Sequence, residues 1–246
     1  MAFCYGKSQV GTSGINGDAF SISSDNTTIM LADGASGAGK EGKVAMSNHC
    51  VKTLEKKPFS HSGLSAKEYL DTIIWEINND LINISQENKT YTFGTLAVCV
   101  VHNDIATIAS IGDSPAYVIH NDSIRRVAKT SKTYQNLINM GVLTEKHAEE
   151  YVSKLHPYMW SMFDRFIPMV VPEYAIEEVK LTNGDIIVLC SDGVSDNINP
   201  DEIKDIICTN ALSESVAKII EIAKDMSTKK NERVKYDDIT LVIYCH

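Results

Sequence analysis

Basic residues are scarce in this chain: 23 Lys and Arg stand against 32 Asp and Glu among 246 residues, a formal charge of −9. No surplus of cations is left to neutralise a nucleic-acid backbone or an anionic bilayer, so neither nucleic acid nor membrane is expected as a partner. No apolar run approaches the roughly 18 residues that span a bilayer, and the start, Met1-Ala2-Phe3-Cys4-Tyr5-Gly6-Lys7, lacks a secretory pattern. A cytoplasmic location is the default expectation. Cysteine is present at positions 4, 50, 99, 190, 208 and 245 without a Cys-x-x-Cys pair, and Cys99 and Cys190 lie inside apolar runs. They read as buried thiols in a reducing compartment rather than as a disulfide framework or a zinc site. His49, His61, His102, His120, His147, His156 and His246 show no ligand spacing; only His156, beside Pro157, invites a test for catalysis.

What is present is enough apolar material for a substantial core, 43% of the residues, with no repeat, low-complexity tract or linker to divide it. One domain over 1–246 is expected. Period-two patterning predicts strands at Asp18–Ser23 and Thr27–Ala32, and helical patterning follows at Lys40–Lys56 and Ser65–Ile84. From Thr92 to Lys129, strand-like runs are broken only by the turn pairs Asn103-Asp104 and Asn121-Asp122, which leaves no room for helical crossovers and predicts antiparallel hairpins. A polar, mixed stretch at about 131–172 reads as a flap-like insertion with short helices near Tyr134–Met140 and Thr144–Leu155. The scheme then repeats: strands around Tyr174–Leu181 and Asp185–Cys190, helices around Pro200–Cys208 and Ser213–Met226, and a last strand at Ile239–Tyr244. Helix pairs alternating with antiparallel strands predict an α+β fold with sheets covered by helices on their outer faces.

Apolar runs recur that end in an aspartate beside a small residue: Ile29-Met30-Leu31-Ala32-Asp33-Gly34, Ile108-Ala109-Ser110-Ile111-Gly112-Asp113-Ser114, and Ile186-Ile187-Val188-Leu189-Cys190-Ser191-Asp192-Gly193. A further acidic pair, Asp237-Asp238, opens the last strand. Carboxylates fixed at neighbouring strand ends cannot all ionise without a compensating cation. Mg²⁺ or Mn²⁺ resolves the conflict, since both prefer hard oxygen ligands, and a glycine beside an aspartate lets a backbone carbonyl approach the ion. Spacing alone does not prove convergence, because Asp-Gly and Asp-Ser are also ordinary turn pairs.

The order of these segments resembles the type 2C metal-dependent serine/threonine protein phosphatases, from near Gly11 to the C-terminus. Asn16-Gly17-Asp18-Ala19-Phe20 is similar to the family's first acidic motif and Leu31-Ala32-Asp33-Gly34 to its metal-bridging motif. Phe93-Gly94-Thr95-Leu96-Ala97, Gly112-Asp113-Ser114, Ser191-Asp192-Gly193-Val194-Ser195-Asp196 and Asp237-Asp238-Ile239-Thr240 follow in the family's order. The resemblance implies a four-layer αββα sandwich, two antiparallel sheets flanked by helix pairs. It implies a phosphatase acting on phosphoserine and phosphothreonine in proteins, a monomer that holds two Mn²⁺ or Mg²⁺ ions and up to a third. Asp33 would bridge two metals and the Gly34 carbonyl would bind one of them. Asp192 and Asp237 would complete the other's ligands, Asp18 would act through metal-bound water, and Asp113 with Asp192 would hold the weaker third ion. A water activated between two cations could then attack phosphorus in line without a covalent intermediate.

Three positions depart from the family pattern. Ser13 stands where an arginine usually clamps the phosphate, Ala35 where a histidine often follows the bridging motif, and Pro115 where an arginine is common. Lys7, Lys40 and Arg165 are the candidate replacement cations. Two rival readings remain: a phosphatase-like binding module without catalysis, and a P-loop nucleotide hydrolase built on Gly34-Ala35-Ser36-Gly37-Ala38-Gly39-Lys40. Glu41 opposes the latter, lacking the hydroxyl that would hold Mg²⁺ there, as do the antiparallel strands after Thr92. The simpler account of those glycines is a turn into the helix beginning near Lys40.

Overall fold

The computed structural model describes residues 2–129, 174–228 and 237–246. Among these residues ten strands form two antiparallel sheets. One contains β1 (Phe3–Gln9), β10 (Ile239–Cys245), β9 (Ile186–Cys190), β6 (Ala116–His120) and β7 (Ser123–Val127), in that spatial order. The other runs β2 (Asp18–Ile22), β3 (Thr28–Gly34), β4 (Gly94–His102), β5 (Ile105–Ile111) and β8 (Ala175–Lys180). Helices α1 (Gly39–Lys56) and α2 (Ala66–Asn88) cover the second sheet. A single turn, α3 (Asp192–Ser195), leads to α4 (Pro200–Thr209) and α5 (Leu212–Thr228), which cover the first.

Strand patterning separates these layers. Along β3 every residue is buried, but Ile29 and Leu31 enter the core between the sheets with Ala97, Val118, Leu189 and Val242, whereas Met30 and Ala32 face α1 and α2 with Met46, Ile74 and Leu96. A third core joins Val188, Leu241 and Ile243 to Ile203, Val216 and Ile219 of α4 and α5. Alternate side chains of a two-sided buried strand thus feed different cores, and each fully buried Ile or Leu contributes about 2 kcal/mol. The result is the expected αββα sandwich.

Local signals set the boundaries. Asn103 and Asp104, then Asn121 and Asp122, all take positive φ between 45° and 64°, the geometry of two-residue hairpin turns. Ser65 and Glu68 close a reciprocal cap on α2, and Asn199 and Glu202 do the same on α4, with Pro200 in its first turn. Strand β3 runs two residues beyond its expected end, because Asp33 and Gly34 still pair with Thr95 and Gly94 of β4. The patterning also missed β1, an edge strand whose exposed Phe3, Tyr5 and Lys7 blur the alternation of polarity, and the short α3. The expected flap with its two helices lies outside the described residues. Pairing of β3 with antiparallel neighbours on both sides removes the parallel strand-helix-strand frame a P-loop needs, and Ser36–Ala38 form a 3₁₀ turn into α1. Among the described residues no helix is long and apolar enough to cross a membrane.

Candidate metal centre

The first residue of β2 and the penultimate residue of β3 are direct cross-strand partners, and both are aspartates, Asp18 and Asp33. Their exposures are 7% and 8%. Two adjacent buried carboxylates cannot both carry charge cheaply. Burial, followed by the charges of Asp18 and Asp237, holds the Asp33 carboxyl well above the usual range, with a contribution from Asp113. Burial likewise pushes Asp18 up to about 6, although hydrogen bonds from Thr240, Asp33 and Ser191 partly offset it. The two carboxyls titrate as a coupled pair, each raised by burial and by the acidic groups around it. Asp18 Oδ2 is buried and has no hydrogen-bond partner among the described residues, which suits it to face a cation or a cation's water.

The backbone around Asp33 is tightly registered. Gly34 N–H donates to the Gly17 carbonyl at 3.0 Å. A Cβ on Gly34 would lie 2.1 Å from the Lys43 carbonyl oxygen of α1, so glycine is required there for helix packing, whatever else its carbonyl binds. Asp192 arrives from the other sheet as the first residue of α3 and is 8% exposed. It is placed by Ser191, whose N–H donates to the Thr240 carbonyl at 3.0 Å and whose hydroxyl accepts from Thr240 N–H at 3.0 Å. A side chain on Gly193 would collide with the Asp238 carbonyl oxygen at 2.0 Å. Asp237 precedes β10 and accepts from the Asp238 N–H at 2.9 Å.

Thus Asp18, Asp113 and Asp237 each lie within electrostatic reach of Asp33, and Asp192 is tied to the same strand ends through Ser191. Among the described residues no three acidic, histidine or cysteine side chains are grouped closely enough to hold a metal ion as they stand. The donor set nevertheless fits a hard divalent cation, being all oxygen, largely buried and orphaned at Asp18 Oδ2.

The departures from the family pattern also have structural settings. Ser13 is exposed, with its hydroxyl donating to the Ile15 carbonyl at 2.8 Å. Ala35 is 8% exposed and Pro115 is buried. Lys7 and Lys40 are exposed, whereas Arg165 and His156 lie outside the described residues. Sequence reasoning missed Lys43, which is 4% exposed and whose ammonium lies 2.8 Å from Asp238 Oδ2. The signal was available: Lys43 falls on the buried stripe of α1 that continues through Met46, Cys50 and Leu54. Asp238, expected only as a neighbour of Asp237, proves to be a separate structural hub.

Residues 5–231 match the sequence profile described as protein phosphatase 2C. The chain is 24% identical over 234 residues to the serine/threonine phosphatase stp of Listeria welshimeri, covering 93% of this chain and 88% of the relative. It is 25% identical over 199 residues to the serine/threonine protein phosphatase PstP of Mycobacterium tuberculosis, covering 79% and 37%. Among solved structures, the S. agalactiae serine/threonine phosphatase superposes with a TM-score of 0.77 at 19% identity over 100% of this chain and 99% of that one. The catalytic domain of PstP in complex with two manganese ions superposes with a TM-score of 0.75 at 20% identity, over 99% and 97%. At such identities the superpositions establish the fold alone.

Proposed function

The chain belongs to the protein phosphatase 2C family and is a metal-dependent serine/threonine protein phosphatase, and from that premise we propose that its catalytic centre is the aspartate cluster at the β2–β3 and β9–β10 strand ends. The observation that carries this assignment is the Asp18–Asp33 pair, two opposed buried carboxylates with further acidic groups facing them. Asp33 would bridge two ions with the Gly34 carbonyl as a further ligand. Asp192 and Asp237 would hold the second ion, and Asp113 with Asp192 a weaker third. Asp18 would act through water held at the centre rather than as a direct ligand. When bound, Mn²⁺ or Mg²⁺ supplies the Lewis-acid charge that acidifies water and screens a phosphate dianion. The PstP relative with two manganese ions supports that cofactor.

The substrate proposed is a phosphorylated protein, and the place of action the cytoplasm as a monomer, in keeping with the buried free thiols of Cys50, Cys99 and Cys190. The test is reconstitution of metal-stripped protein with Mn²⁺ or Mg²⁺ on phosphothreonine and phosphoserine peptides. Turnover that appears with metal and vanishes with chelator is expected. Metal uptake without turnover would instead identify a binding module that has kept the fold, and turnover indifferent to metal would reject the centre.

A further inference from the structure

Two segments that carry the proposed centre, the loop before Asp18 and the Asp237–Asp238 turn, meet helix α1 at one buried ion pair. Lys43 Nζ donates to Asp238 Oδ2 at 2.8 Å, and the two side chains are 5% and 2% exposed. Gly17 N–H donates to the same oxygen at 2.7 Å, while Gly11 N–H donates to Asp238 Oδ1 at 2.7 Å. The Lys43 ammonium also donates to Ser13 Oγ at 3.2 Å. Both ends and the middle of the loop 11–17 are therefore pinned to α1 and to the start of β10. That loop delivers Asp18, and the Asp238 N–H is itself the donor to Asp237 Oδ1.

Stability alone is a poor reason for such a pair, because taking two charges out of water costs much of what their attraction returns, and an apolar pair of equal volume often does as well. Direct capture of substrate phosphate is also a poor fit. The Lys43 ammonium is covered and already neutralised by Asp238, and its stem is pressed against Gly17, where a Cβ would lie 2.6 Å from Lys43 Cδ. The remaining property of the pair is that it joins elements which must keep register for carboxylates from both sheets to face one cation. We infer that the Lys43–Asp238 ion pair is a positioning clasp, fixing the loop 11–17 and the Asp237–Asp238 turn so that Asp18 and Asp237 are presented to Asp33; the inference rests on the metal-centre assignment above.

Lys43→Met keeps the length of the stem and removes the charge. In metal-free protein, amide exchange across residues 11–17 is expected to quicken about tenfold while exchange in β9 stays unchanged. The Mn²⁺ concentration giving half-maximal thermal shift is expected to rise about ten- to a hundredfold, the usual consequence of losing a group that orients metal ligands. Turnover at saturating Mn²⁺ should recover most of its value with KM for a phosphothreonine peptide unmoved, and Lys43→Arg should restore the Mn²⁺ midpoint. Should Lys43→Met fail to fold, Lys43→Met combined with Asp238→Asn, which leaves no buried charge without a counter-ion, is measured in the same way. A raised KM with an unchanged Mn²⁺ midpoint would make Lys43 a substrate clamp and overturn the inference. Lower thermal stability with loop exchange and Mn²⁺ midpoint both unchanged would reduce the pair to scaffolding and overturn it equally. Wild-type protein that takes up no Mn²⁺ would sink the metal-centre assignment alone, and the exchange measurement would still decide the clasp.

Discussion

Strand β9 has an aspartate beyond each end, and the two are treated in opposite ways. At one end Asp185, 4% exposed, accepts from Thr182 N–H at 2.8 Å, from the Thr182 hydroxyl at 3.2 Å, and pairs with His120 Nδ1 at 2.7 Å. Burial alone would raise its carboxyl, yet these donors hold it below the ordinary value. At the other end Asp192, 8% exposed, follows Ser191, which hydrogen-bonds Asp18, and in the Asp18–Asp33 pair beyond it carboxylates face carboxylates and burial holds Asp33 well above the ordinary value. The same residue type is a satisfied structural anchor in one place and part of an acidic cluster in the other. Burial of an aspartate therefore says little by itself; whether the groups facing it are donors or other carboxyls separates a scaffold from a cation site.

The contrast can be broken most forcefully at Asp33. Asp33→Asn should lower turnover about a thousandfold, the rate equivalent of losing several kcal/mol of transition-state charge stabilisation. Melting in chelator should show the same variant at least as stable as wild type, because a repelling buried carboxyl has been removed. Asp185→Asn should leave turnover at the wild-type level when both are assayed with saturating Mn²⁺.

Metal addition should distinguish the two ends next. Mn²⁺ at a hundred times its dissociation constant should stabilise the wild-type fold by about 2.7 kcal/mol, a rise of roughly 5–11 °C in Tm for a domain of this size. Asp185→Asn should keep that increment in a thermal melt, and Asp33→Asn should lose it.

A smaller effect belongs to the anchor alone. Removing the Asp185 charge should cost about 2 kcal/mol, since hydrogen bonds to a charged group are at stake, and should lower Tm by roughly 4–8 °C with or without metal. The smallest is its pH dependence. A carboxyl depressed on folding contributes stability that is present above its unfolded pKa, near 3.9, and is lost as pH falls through the lower folded value. Acid melts below about pH 4 should therefore show wild type converging on Asp185→Asn.

Much of the framework was legible because its signals are local. The pairs Asn103-Asp104 and Asn121-Asp122 announced hairpins that appear with both residues at positive φ, and the α1 and α2 spans fell within a few residues of expectation. The edge strand β1 escaped because half of its side chains face solvent and include Phe3 and Tyr5. At the centre, the aspartates announced themselves by ending apolar runs, but their division of labour did not. Asp237 and Asp238 look interchangeable in sequence, and only the fold turns one toward Asp33 and the other onto Lys43 and two glycine amides.

By itself the sequence determined the alternation of strand and helix, the turn chemistry and the supply of carboxylates at strand ends, since each depends on residues a few positions apart. Tertiary structure alone decided which of those carboxylates meet each other and which meet a cation already in the protein. Lys43 and Asp238 stand 195 positions apart, and the energy of a charge in a dry interior is fixed by whatever group packing sets a few ångströms away, which no local pattern encodes.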